Sequence, residues 1–331
     1  VVKWLDGEAP KLPSENRISV RSKFVFGEDE KGNDIIAESV EELARIIYEN
    51  PELGRKHLYR GTIKDWLKQN GDQNLFLEVA DITEYKYKDD EITGTQYAIY
   101  ILDKNFPYYS LKSKPLKTKQ QLVDELRFNW KIYVPALKDP NHKFYLYLLS
   151  KNAHQDVEKF RLWYSEKEAE YAFYYVLYTL EFSLNKNAPF AIFTSGKLKK
   201  LITTLEELSD YFIQNPKSRK PLFLSADFWV WLSFKDKEIK TTLSKLYEEE
   251  NGASKNLLGQ LPHLLLPSLG YKGLSGKRSA SLTELGEEFY NNFEEYKKIF
   301  KNEESEIFYY LKANGLEGEI SFIKKSFNPD N

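Results

Sequence analysis

The sequence predicts a mostly helical α+β fold, built as an array of about four internal repeats, each a small β-hairpin followed by three short helices. Three observations predict it. One pattern, Ser/Thr-x-x-Glu/Gln-Leu and then Asn seven positions after the Leu, occurs four times without a gap: SVEELARIIYEN from Ser39, TKQQLVDELRFN from Thr118, TLEELSDYFIQN from Thr204 and SLTELGEEFYNN from Ser281. Beyond each pattern comes an aromatic residue followed by Leu: Trp66-Leu67, Tyr147-Leu148, Trp231-Leu232 and Tyr310-Leu311. Ahead of each pattern lies a short strand-like stretch interrupted by turn residues.

The first helix of each copy starts at a capping box. Ser39, Thr118, Thr204 and Ser281 accept from orphan N–H groups of the first turn, and Glu42, Gln121, Glu207 and Glu284 reach back to the cap's own N–H. Leu43, Leu122, Leu208 and Leu285 open the apolar stripe. Asn50, Asn129, Asn215 and Asn292 stop the helix, read here through the left-handed conformation that Asn tolerates. Pro51 and Pro216 suit the start of a second helix, marked further on by Leu58, Leu137, Leu222 and Ile299. The aromatic–Leu pair ends a third helix, so WLKQNG at 66–71 and YLKANG at 310–315 are the same helix end twice, with Gly71 and Gly315 as closers.

The upstream hairpins are placed at Phe24–Ile36, Tyr108–Leu111, Ala191–Ile202 and Leu269–Leu274. The expected boundaries are 1–19 as a linker or the end of a preceding unit, 20–90 as repeat one, 91–188 as repeat two, 189–255 as repeat three, and 256–331 as a connector with repeat four. In this reading the aromatic stretch 166–182 is a helix peculiar to repeat two, and the Leu- and Pro-rich stretch 256–270 is a connector.

Composition narrows the function. Lys and Arg number 48 against 50 Asp and Glu, so the whole-chain basic field of a nucleic-acid binder is absent. The chain contains no Cys, which removes thiolate catalysis, disulfides and Cys-ligated zinc. It also contains no Met, which predicts that Val1 is not the native start. No apolar run reaches the length of a membrane span, and VVKWLDGEAP lacks a signal peptide's pattern, so a cytoplasmic location is expected.

LYRGTIKDWL at 58–67 resembles a helical module with an LYxGxxxxWL core, found in large multidomain bacterial proteins. That resemblance implies a modular bacterial accessory region and brings no activity with it. Within the same stretch, Tyr59-Arg60-Gly61-Thr62 is similar to the first motif of Arg-Ser-Glu type ADP-ribosyltransferases. The similarity implies an NAD-cleaving centre on Arg60, with Phe193-Thr194-Ser195 in the place of the second motif. The sequence departs from that family: no Glu-x-Glu follows on a loop, because Glu248–Glu250 falls in a predicted helix. The first reading of these residues is a helix–helix turn.

Other candidate chemistry is thin. GYKGLSGKRS at 270–279 misses the spacing of a phosphate loop and coincides with the fourth hairpin. The hairpins carry lysines, and Lys197, Lys199, Lys200, Lys272, Lys277 and Arg278 are the candidate anion contacts, beside Lys112, Lys114 and Lys117. His57, His142, His154 and His263 show no metal-ligand spacing, so neither metal nor cofactor is expected. The aromatic helix offers Phe173, Tyr174, Leu177 and Tyr178 as a docking face for a partner protein. The expected function is therefore a non-enzymatic, elongated scaffold that binds a partner protein or another domain of its parent chain. The alternatives are an ADP-ribosyltransferase-like enzyme centred on Arg60 and a weak nucleic-acid contact through the basic turns.

Overall fold

A computed structural model describes residues 22–327, so the expectation for residues 1–19 lies outside the described part. The described residues are 65% helical. Among the described residues it forms nineteen α-helices and four two-stranded antiparallel sheets. No helix among them is long and apolar enough to cross a membrane. Two compact units divide it: the chain up to Lys117 together with Asp139–Lys159, and Thr118–Lys138 together with the chain from Phe160 onward.

Each sheet is one hairpin, and the four hairpins share a register. An aromatic residue opens the first strand and faces the residue two positions before the helix cap. Phe24 lies opposite Ala37, Tyr108 opposite Leu116, Phe190 opposite Ile202 and Tyr271 opposite Ser279. All eight are buried. The turns between the strands differ in chemistry. In the third, Ser195 and Gly196 take φ of 51° and 77°, the paired left-handed geometry that matches strand twist in a tight hairpin. In the first, the Asp29 carboxylate accepts from the N–H groups of Lys31 and Asn33 at 2.8 and 2.9 Å. In the second, the Ser110 hydroxyl accepts from those of Lys112 and Lys114 at 3.2 and 3.1 Å. The fourth has Gly273 at that position. Here the Glu288 carboxylate, from the following helix, accepts from the Ser275 N–H at 3.1 Å and its hydroxyl at 2.7 Å. A Cβ on Gly273 would lie 2.3 Å from that carboxylate, so the missing side chain and its substitute go together.

After each hairpin comes a ten-residue helix: Val40–Glu49, Lys119–Phe128, Leu205–Gln214 and Leu282–Asn291. Ser39, Thr118, Thr204 and Ser281 accept from the N–H three residues on, at 3.1, 3.1, 3.1 and 3.2 Å. The reciprocal half of the box closes on the cap itself at Thr118 and Thr204. Glu42 and Glu284 instead reach one residue further back, to the N–H groups of Glu38 and Ala280. The terminal Asn does not act as expected. Asn50, Asn129, Asn215 and Asn292 have φ of −129°, −120°, −130° and −125°, outside the left-handed region. Each stops its helix by donating twice, from backbone N–H and side-chain Nδ2, to the carbonyl four residues earlier. The same Asn then caps the next helix, at Pro51–Tyr59, Trp130–Ala136, Pro216–Ser218 or Phe293–Ile299. Its side chain makes no capping bond to that second helix; the corner is set by one residue that ends the first helix and stands at the N-cap of the next.

The aromatic–Leu pairs lie on the third helices, Thr62–Gln69, Lys143–Ser150, Ala226–Lys235 and Glu306–Ala313. Each aromatic packs on the aromatic that opens its own hairpin. The ring centroids are 5.9 Å apart for Trp66–Phe24, 5.6 Å for Tyr147–Tyr108, 5.5 Å for Trp231–Phe190 and 5.5 Å for Tyr310–Tyr271. The two Trp rings also donate an Nε1–H to the carbonyl two residues before the strand, Trp66 to Ser22 at 2.7 Å and Trp231 to Ala188 at 3.0 Å. WLKQNG and YLKANG end alike. Gly71 and Gly315 are left-handed, the N–H after each bonds back to Leu67 or Leu311 at 2.9 Å, and Asn70 and Asn314 donate to the carbonyls of Trp66 and Tyr310. Asn152 plays the glycine's part after Lys143–Ser150, with φ of 61°.

Further helices follow the third, a fourth in all four segments and a fifth in three, where the expectation had only the aromatic helix of repeat two. The fourth are Gln73–Asp81, His154–Glu166, Lys237–Glu249 and Glu317–Phe327. The fifth are Glu91–Leu102, Ala169–Leu184 and Lys255–Leu265. These last begin 51 or 52 residues after the cap and end six residues before the next hairpin. They bridge segments: each packs on the capped helix of its own segment and on the third helix of the next, so Glu91–Leu102 touches Val40–Glu49 and Lys143–Ser150. Ala169–Leu184 touches Lys119–Phe128 and Ala226–Lys235, and Lys255–Leu265 touches Leu205–Gln214 and Glu306–Ala313. At Gly259 a Cβ would lie 2.2 Å from the Tyr309 ring, so that bridge needs a bare backbone. The aromatic stretch of segment two is therefore not an addition; it has counterparts in segments one and three. The compact units also follow different limits from the expected repeats. The second hairpin and Lys143–Ser150 belong to the first unit, while Lys119–Phe128 and Trp130–Ala136 belong to the second.

Thr204→Ala should lower stability by about 1 kcal/mol through loss of the cap, read by chemical denaturation. Trp231→Ala should cost about 3–5 kcal/mol, and Trp231→Phe about 1–2 kcal/mol, since a ring contact survives while the bond to Ala188 and part of the buried indole volume are lost. Equal losses for the two would show that the indole hydrogen bond dominates.

Candidate partner-binding surfaces

The residues singled out from the sequence occupy three kinds of place. Arg60 is exposed and ends Pro51–Tyr59, and the next residue, Gly61, has φ of 82°. The turn is fastened around it: Thr62 donates its hydroxyl to the His57 carbonyl at 3.0 Å, and the Tyr59 hydroxyl donates to the Tyr87 carbonyl at 2.8 Å. Glu248 lies inside Lys237–Glu249, as the sequence predicts. Gly270–Ser279 forms the fourth hairpin.

The docking face expected on the aromatic helix requires correction. Phe173, Leu177 and Tyr178 are buried, Tyr174 is half-buried against Trp130, and no ring from Tyr171 to Phe182 is exposed. A helix packed on two neighbours has no free apolar face; the abundance of rings measures how much core it fills.

Tyr178 belongs instead to a charged cluster. Its hydroxyl donates to Asp227 Oδ1 at 2.5 Å, Arg127 pairs with Glu181, and Arg127 Nη1 donates to the Pro189 carbonyl at 3.1 Å. Desolvation pushes the Asp227 carboxyl up to about 7, against the opposing pull of the Tyr178 hydroxyl and Arg127. Desolvation likewise raises Glu181, with Arg127 opposing. A second cluster joins Arg219, Glu306 and His263 beside a cleft of about 530 Å³. Arg219 Nε donates to the Phe212 carbonyl at 3.0 Å, and its Nη2 to both Glu306 oxygens at 3.0 and 2.9 Å. His263 Nε2 lies 3.1 Å from Glu306 Oε1. Burial alone would raise Glu306; His263 and Arg219 more than offset it and hold the carboxyl below its ordinary value. Both clusters tie helices together and use up their own donors.

Among the candidate anion contacts, Lys197, Lys199, Lys200, Lys272 and Lys277 are exposed on the third and fourth hairpins. Lys199 and Lys200 hold their ammonium groups 5.7 and 5.8 Å from the Tyr211 ring centre. Arg278 is spoken for: it pairs with Asp210 on the preceding capped helix and donates to the Gly270 carbonyl at 3.3 Å. No group of His or carboxylate side chains with metal-site geometry occurs among the described residues. Burial pushes His142 down to about 4, with Lys143 adding to the effect.

The surface that sequence reasoning missed lies in the fourth segment. Leu282–Asn291 and Glu317–Phe327 border an apolar groove of about 470 Å³, with Phe289, Phe293 and Phe300 among its walls and Glu319 its one charged residue. Four large side chains beside it are open to solvent: Tyr290 at 84%, Phe322 at 71%, Leu282 at 51% and Phe293 at 47%. Contiguous apolar surface of this kind marks interaction sites. The sequence signal was available in FxxxF-type spacing of rings, but the capped helix looks the same in all four segments until its neighbours are known. Compared with family models, curated proteins and solved structures, the chain matches none.

Asp227 gives a pH test. Its folded value lies above its unfolded one, so the folded chain holds a proton that the unfolded chain has released. Stability then falls as pH rises from about 4 to about 7 and stays reduced above that. Asp227→Asn keeps an acceptor for Tyr178 and removes the titration. It should be more stable than wild type by at least about 1 kcal/mol above pH 7, the gap closing towards pH 4.

Proposed function

We propose that the chain is a non-enzymatic scaffold of four related units which binds a partner protein or another domain of its parent chain. The observation that carries this reading is the recurrence of one contact set. In every segment the third-helix aromatic sits 5.5–5.9 Å from the aromatic opening its hairpin. Three segments add a helix that joins one capped helix to the next third helix. Repeats of this type stabilise each other through neighbours and expose binding surface rather than a catalytic pocket. The charged clusters around Arg127 and Arg219 are consumed by structural bonds, which agrees with a scaffold. Likeness of LYRGTIKDWL to the bacterial LYxGxxxxWL module supports a bacterial setting. The nucleic-acid alternative is weakened by the pairing of Arg278 with Asp210.

The competing enzyme reading is directly testable. Purified wild-type chain and Arg60→Lys should both fold, with superimposable circular dichroism and melting, and neither should release nicotinamide from NAD above a no-protein control. Nicotinamide release by wild type that disappears in Arg60→Lys would replace the scaffold with an ADP-ribosyltransferase-type enzyme.

A further inference from the structure

The four capped helices can be compared position by position, and one of them differs in what covers it. Five residues after the cap stand Ala44, Val123 and Ser209, which are 0%, 0% and 2% exposed. The same position in the fourth segment is Gly286, which is exposed and has nothing within 4 Å of where a Cβ would be. Eight residues after the cap, Ile47, Leu126 and Phe212 are fully buried, whereas Phe289 is half-buried and lines the groove. In the first three segments a bridging helix lies on this face. Among the described residues no helix lies on the fourth. The difference is confined to that face: Leu285, four residues after the cap and turned to the segment's own core, is as buried as Leu43, Leu122 and Leu208.

Three occupied faces in the same chain state the chemistry of the occupant. Glu91–Leu102, Ala169–Leu184 and Lys255–Leu265 are helices of three to four turns, rich in buried aliphatic and aromatic side chains; the second also meets its capped helix through the Arg127–Glu181 pair. The open groove offers the complementary surface, with Phe289, Tyr290, Phe293 and Phe322 around it and almost no charge. We infer that this groove docks an apolar-faced α-helix of about three turns, presented by a partner protein and seated as the bridging helices are seated in the first three segments. This rests on reading the segments as copies of one unit. The docking mode is helix-in-groove, with affinity drawn from apolar burial and two or three ring anchors, so it should vary little with salt.

The test uses the 331-residue chain and a fluorescent synthetic peptide of residues 90–103, the first bridging helix with its Asp90 cap. Fluorescence anisotropy should show saturable micromolar binding that changes less than threefold between 50 and 500 mM salt. Gly286→Arg and Phe322→Ser, both at open positions, should leave the melting temperature unchanged and weaken the peptide at least tenfold. Absence of saturable binding, or binding indifferent to both substitutions, overturns the docking site. Self-association of the wild-type chain that is abolished by Gly286→Arg and not displaced by peptide overturns it in favour of a second copy as occupant. A parallel series separates this from the underlying reading. Ala44→Arg, Val123→Arg and Ser209→Arg should each lower the melting temperature by more than about 10 °C, because a charge is forced under a bridging helix. If those three are tolerated as well as Gly286→Arg, the segments are not equivalent and the repeat reading itself fails; if they unfold and the peptide does not bind, only the docking site fails.

Discussion

The contact between the ring that opens each hairpin and the ring on the third helix is the constraint on which each segment depends. A two-stranded hairpin is marginal in water by itself, and so is a helix of eight residues. Their rings meet across about forty residues of chain, which hold two short helices and the Asn corner. The distances hold within 5.5–5.9 Å although the pairs are Phe–Trp, Tyr–Tyr, Phe–Trp and Tyr–Tyr. Segments with Trp add a hydrogen bond to the chain just before the strand, and segments with Tyr do without it. Geometry is thus kept while chemistry varies, which is what a packing constraint requires.

The same trade appears in the turns. Asp29 and Ser110 organise their hairpins from within, by accepting from two N–H groups ahead of them. Gly273 cannot, and Glu288 does the work from the neighbouring helix, held also by the Tyr296 hydroxyl at 3.2 Å. A change from a local to a tertiary acceptor leaves the hairpin intact but makes it depend on the helix being folded. Glu288 lies on the inner side of its capped helix, where Ile46 and Tyr211 stand in two of the other segments and a buried Glu125 in the third.

How much could be read from the sequence follows the range of each interaction. Caps, corners and helix ends act over three to five residues, so Ser39, Thr118, Thr204 and Ser281, the four Asn positions, and Gly71 with Gly315 declare themselves by spacing alone. Even there the mechanism at Asn50 and its equivalents was misread, because a side-chain bond to a carbonyl four residues back leaves no trace in composition. The bridging helices were illegible for the opposite reason. They are sandwiched, so they are apolar nearly all round, and EITGTQYAIYIL, AEYAFYYVLYTLEFSL and KNLLGQLPHLL share no motif beyond that. Periodicity cannot separate such a helix from any other apolar run. Hence in sequence the second reads as an addition with a free face and the third as a connector, and the first carries no mark of its own. The candidate site failed with them: a ring-rich stretch draws attention, but Phe173 and Tyr178 are rich in contacts because they are inside.

The fourth capped helix turns that failure into a criterion. A helix face left uncovered is ordinarily kept soluble by polar residues in place of apolar ones. Leu282–Asn291 has not been altered in that way, for Leu282, Phe289 and Tyr290 remain, and Phe322 stands open across the groove from them. The one clear change is Gly286, where the other segments have Ala, Val or Ser. In an exposed helix interior Gly costs about 1 kcal/mol relative to Ala, so it weakens the helix without making its face more polar. Removing a side chain from the middle of the face deepens it, and lets an incoming backbone approach more closely than at Ala44 or Val123. A surface selected only for solubility would gain nothing from that change; a surface that receives another helix gains a seat.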